Sequence, residues 1–151
     1  MILDSRNEFC NATSLNTGAA GTYLLGDQID LGAGDKPIGA QDELYLVAVV
    51  QTTATSGGSA TLQLKLSSDD SASIATNGTA TDHFVSRVFP VASLVAGTTL
   101  FATKLPMGFD YERYLGILQV TGTAAFTAGK IDVFLTPDPA RWAAYDSPSH
   151  L

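Results

Sequence analysis

The chain has 151 residues, of which 45% are hydrophobic and 15% charged, and a formal net charge of −7. That length suits one domain with a core of its own, and the apolar content excludes an intrinsically disordered chain. An excess of acids over eight Lys and Arg in total opposes binding to a nucleic-acid backbone, which needs clustered cations.

Residue choice within these classes says more. Ala, Thr, Gly and Ser contribute 20, 17, 14 and 12 residues, and twelve of the fifteen acids are Asp. Asp favours turns and caps where Glu would extend helices, and Thr favours strands, so the composition predicts an all-β fold. The charged fraction of 15% is low beside the roughly 25% of an average soluble domain. Either an assembly hides part of the surface, or Thr and Ser cover that of a monomer. The longest apolar run, residues 44–50, is far short of the ~20 residues that span a bilayer. Asp4 falls where a signal peptide would be apolar, so a soluble, unexported chain without a membrane partner is expected. Cys10 is the single cysteine, which excludes an intrachain disulfide.

Taken in chain order, residues 1–20 show no sustained period. Leu3, Phe9 and Leu15 stand there as isolated apolar anchors of an N-terminal arm or a loose first strand. Residues 22–29 read as a strand and 32–37 as a loop. Residues 44–53 are the clearest strand, and their unbroken apolar run predicts burial on both faces. Ser56-Gly57-Gly58-Ser59 reads as a hairpin turn into residues 60–67, where Leu62, Leu64 and Leu66 alternate with Thr61, Gln63 and Lys65. Residues 67–81 form a polar loop with Ile74 tucked in, and 83–89 alternate less regularly. Residues 90–97 are a connector with room for one helical turn, and strands follow at 98–105, 114–121 and 130–135. The predicted organisation is an arm (1–20), a jelly-roll-like β-sandwich of about eight short antiparallel strands (21–135), and a C-terminal tail (136–151).

Chemistry-bearing motifs are sparse. His83 and His150 are the only histidines, too few and too far apart for a zinc site, so no metal is expected. Gly57-Gly58-Ser59-Ala60-Thr61 fails the nucleophile-elbow pattern at its last position. Gly32-Ala33-Gly34 lacks the third glycine and the helix of a dinucleotide fingerprint, so no cofactor is expected. Asp69-Asp70 reads as an acidic turn and not a calcium loop. Phe84, Phe89, Phe101, Phe126 and Phe134 lie on predicted strands, where core packing outweighs a sugar-stacking role. Trp142 and Tyr145 differ, since with Arg141 they bring interface residue types to an irregular tail.

Several short stretches recur in one family in the same order: Met1-Ile2-Leu3-Asp4-Ser5 with Phe9, Pro37-Ile38-Gly39-Ala40 before Leu44-Tyr45-Leu46, and Leu94-Val95-Ala96-Gly97. Arg113-Tyr114-Leu115 and Phe126-Thr127-Ala128-Gly129-Lys130 complete the series. From Met1 to about Leu135 the chain resembles the capsid cement proteins of tailed bacteriophages, of the type first seen on a Bordetella phage. It departs from them around residues 76–82, which are longer, and at 136–151, which run past the usual end. The resemblance implies a jelly-roll-like protein on the outer surface of a phage head, with no catalytic residues. It further implies binding to the major capsid protein, clamping of neighbouring subunits, and a homodimer made in the host cytoplasm. The alternative is a carbohydrate-binding sandwich from a tail or fibre. The expected interface residues are Leu3, Phe9, Leu15, Arg141, Trp142 and Tyr145.

Overall fold

Short runs of β-branched and apolar residues, cut by Gly, Asn and Asp, fold into nine strands among the described residues. They are β1 (Glu8–Ser14), β2 (Gly21–Asp30), β3 (Tyr45–Ser56), β4 (Thr61–Asp69), β5 (Thr81–Val85), β6 (Phe89–Pro90), β7 (Thr99–Lys104), β8 (Tyr114–Gly122) and β9 (Phe126–Thr136). The computed structural model describes residues 5–33, 43–106 and 109–139. The strands form two antiparallel sheets with orders β1-β9-β3-β7 and β2-β8-β4-β5, and β6 lies beside β4. Most connections carry the chain from one sheet to the other, and this strand order is that of a jelly roll. The all-β sandwich expected from composition is the fold observed.

One expected pairing is wrong. β3 and β4 do not form a hairpin: β3 pairs with β9 and β7, and β4 pairs with β8, β5 and β6. The Ser56–Ser59 segment arches from one sheet to the other. Leu46, Ala48 and Val50 of β3 therefore meet Leu62, Leu64 and Leu66 of β4 across the core. Alternation puts those leucines on one face in either arrangement, so it cannot tell a side-by-side partner from a facing one.

The two-sided burial of β3 is present. Its inward residues join the main core, while Val47 and Val49 form a second apolar cluster with Phe134 on the other face of that sheet. Over the opposite sheet the loop after β4 folds back. Ile74 seats against Gly116, where a Cβ would lie 2.5 Å from the Ile74 methyl, and Gln28 Nε2–H donates to the Ala72 carbonyl.

Residues 8–14 are a strand of the sandwich. β1 pairs with β9 (Cys10 opposite Val133, Thr13 opposite Ile131), and Phe9 and Leu15 are 1% and 4% exposed within the main core. Their assignment to a partner-facing interface is thereby corrected. β1 covers the apolar residues that β9 and β2 would otherwise expose, and its two register breaks hide the period of two in the sequence. Leu3, Arg141, Trp142 and Tyr145 lie outside the described residues.

Candidate functional site

The register places unequal loops at the two ends of the sandwich. At one end the connections between β1 and β2, β3 and β4, and β8 and β9 are tight. The other end gathers the long connections, as shown by Asp30 and Asp69 lying opposite Tyr114 and by Tyr45 lying opposite both Lys104 and Thr136. The start of β1 joins them there, with Glu8 opposite Phe134, and β9 runs out toward the C-terminal tail. Binding residues usually sit on loops held by a rigid scaffold, which makes this the candidate docking end.

A polar network stiffens it. Ser68 Oγ and His83 Nε2 are 2.7 Å apart, and the Glu112 N–H donates to the same Ser68 oxygen at 3.3 Å. Thr81 Oγ1–H donates to Glu112 at 2.9 Å, and the His83 ring lies 4.2 Å from that of buried Tyr111, whose hydroxyl donates to the Pro106 carbonyl. This network clamps the β7–β8 connection onto β4 and β5. Next to it, Arg113 grips Asp30 with two hydrogen bonds of 2.9 and 3.0 Å. That guanidinium and the Gly32 N–H hold the Asp30 carboxyl at about 2. A cleft of about 280 Å³ opens among Ser5, Arg6, Glu8, Asp27, Gln28 and Asp30. Among the described residues no group of three or more His, Cys, Asp or Glu is arranged to hold a metal ion.

A serine hydrogen-bonded to a histidine invites a nucleophilic reading, and the surroundings give it another job. Ser68 is wholly buried, and the Asp82 carboxylate is taken by Ser67 at 2.6 Å and Lys65 at 2.9 Å. The arrangement ties strands together and offers a substrate no approach to the hydroxyl. Burial lowers the His83 pKa from its usual value, opposed by the charges of Glu112 and Asp82. Because the folded state favours the neutral ring, this contribution to stability is full above the unfolded value near 6.5 and is lost as pH falls toward the folded one. The melting temperature is therefore expected to drop between pH 7 and 5, and less steeply in His83→Gln. Equal slopes in a pH series of thermal melts would show that His83 is not the group responsible. The lowered carboxyls of Asp30, Asp69 and Asp82 act in a separate window, below about pH 4.

Phe89, Phe126 and Phe134 are buried, while Phe84 and Phe101 pack against the core with ring centroids 5.0 Å apart. None of the five lines an open stacking platform. Among the described residues the exposed large apolar side chains are Val85, Val88, Val95 and Phe109, which sequence reasoning missed. Val88 and Phe89 are adjacent apolar residues, and only the pairing of Phe89 with Leu62 sends one inward and leaves the other out.

Among the described residues the jelly roll thus carries long connections at one end, apolar side chains on its surface, and a Ser68–His83 pair whose hydroxyl is buried. Residues 9–135 match the Bbp16 family model, and the chain belongs to that family, a family of Bordetella phage proteins. It is a phage structural protein and a component of the virion. No curated protein matches the chain. Among the described residues no helix is long and apolar enough to cross a membrane.

Proposed function

We propose that this protein is a non-enzymatic capsid cement protein. It binds the outside of the phage head as a homodimer, contacts the major capsid protein and clamps neighbouring subunits. It binds neither nucleic acid nor membrane. The family match over residues 9–135, on a jelly roll whose long connections leave one end together with the start of β1 and the end of β9, carries this reading. A net charge of −7 agrees with a place away from the packaged genome.

A ligand that binds only the assembled shell stabilises it by RT ln(1 + [L]/Kd). Particles lacking this protein should disrupt at lower temperature and milder osmotic shock than complete ones, and adding the purified protein back should restore them. Equal resilience with and without it would refute the cement role. The C-terminal tail supplies the second contact in this reading, through Arg141, Trp142 and Tyr145. Removing residues 140–151 should weaken attachment to particles while the isolated protein melts as before. Truncating an interface Trp costs on the order of 2 kcal/mol or more, so Trp142→Ala should reproduce most of that loss.

A further inference from the structure

We infer that two copies of the chain pair through the free edge of β7, joining their four-stranded sheets into one continuous sheet across a two-fold axis. This rests on the homodimer reading above and names its interface.

The two sides of the sandwich differ. On one side β1 and β2 lie together, and both are distorted. Each has register breaks, Ala12 (φ 47°) and Gly26 (φ 68°) are left-handed, and the Ala12 N–H is taken by Asp132. Bulged edges of this kind are poor templates for another strand. On the other side lie β5 and β7. From Phe101 to Lys104, β7 runs in unbroken register with β3, and no described strand pairs with its outer edge. β7 has one break, between Phe101 and Thr99, and beyond it four residues in continuous register present an edge that no described strand covers, which is what strand addition requires.

Charge selects β7 over β5 and favours a second copy as the occupant. Two chains of −7 repel each other, so they meet most cheaply where carboxylates are absent. β5 carries Asp82, paired with Lys65, whereas Thr99-Leu100-Phe101-Ala102-Thr103-Lys104 contains no acid. Its one cation, Lys104, is 3.1 Å from Glu43. Val85 at the end of β5, and Val88 and Val95 between β5 and β7, are exposed by 46%, 52% and 49%.

A two-fold axis normal to the sheet sets one residue opposite its own copy. Lys104 there would face Lys104, and Phe101 is already engaged with Phe84. Ala102 is small, exposed and aligned with Val47. With the axis at Ala102, Phe101 of each copy faces Thr103 of the other.

Sedimentation velocity on the full chain at micromolar concentration tests this. The wild type should be a dimer, and Ala102→Asp, which sets two carboxylates at the axis, should be monomeric with an unchanged circular dichroism spectrum. Directly opposed residues have Cα atoms about 4.5–5.5 Å apart, within disulfide reach, so Ala102→Cys should cross-link on mild oxidation. Cys10 is buried and does not compete. A monomeric wild type overturns the inference, as does a dimer that survives Ala102→Asp. If Ala102→Asp fails to fold, cross-linking of Ala102→Cys decides, and its absence counts against the interface. Failure of the cement reading shows separately, as wild-type protein that does not bind particles.

Discussion

Replacing Phe9 by alanine is expected to cost the isolated protein about 3–5 kcal/mol of stability, the range for deleting a buried phenyl ring. Phe9 is 1% exposed and belongs to the main core, on a strand held to β9 along its length. In urea denaturation the midpoint should fall with little change in slope. For a chain of this size the loss corresponds to a melting temperature lower by roughly 10 °C or more. Deleting residues 1–14 should go further and abolish folding, because the outer strand of one sheet goes with them. A Phe9→Ala protein that melts like the wild type, yet binds particles poorly, would return Phe9 to the surface and overturn its place in the core.

The second large effect lies on the facing strand. Gly26 has φ 68°, and a Cβ there would stand 2.1 Å from the Phe9 carbonyl oxygen and 2.7 Å from Cys10 Sγ. Alanine would meet two penalties: left-handed backbone strain of about 1–2 kcal/mol, and forced separation of β1 from β2. The Cys10 thiol hydrogen bonds to the Leu25 carbonyl across this seam, and burial pushes its pKa to about 12, so it remains an inert, packed thiol. Gly26→Ala is expected to cost more than about 3 kcal/mol in total. Gly78 is the control, since its φ is 92° but a Cβ would meet nothing within 4 Å. Gly78→Ala should show the strain alone. Equal losses at the two positions would mean that β1 and β2 are not in close contact at Gly26.

Strand positions were legible in the sequence because one-dimensional period reports burial directly. The run at 44–50 and the Leu62, Leu64, Leu66 alternation name β3 and β4 and the faces they bury. Pairing was not legible, because it depends on which way the chain turns after Ser56, and a flexible Ser-Gly-Gly-Ser segment permits a hairpin or an arch. β1 was obscured by its bulges, which break the period that would mark Phe9 and Leu15 as core. The clamp of Ser68, His83, Tyr111 and Glu112 left no motif, since its members come from β4, β5 and the β7–β8 connection and meet only once both sheets exist. The class of protein was readable through five short stretches in family order, a signal that periodicity does not carry.

The order in which the strands are made bears on when this protein can fold. β8 and β9 come last in the chain yet lie inside their sheets: β2 reaches β4 only through β8, and β1 reaches β3 only through β9. A nascent chain halted before Tyr114 can pair β3 with β7 and β4 with β5 or β6, while β1 and β2 have no strand to join. Most of the fold therefore waits for residues 114–136 to leave the ribosome and then closes through contacts distant in sequence, the slow class of folding reaction. Until that moment the leucines of β4 and the valines of β3 are open to water and to other nascent chains, so chaperone supply while the chain is being made governs the yield of finished copies.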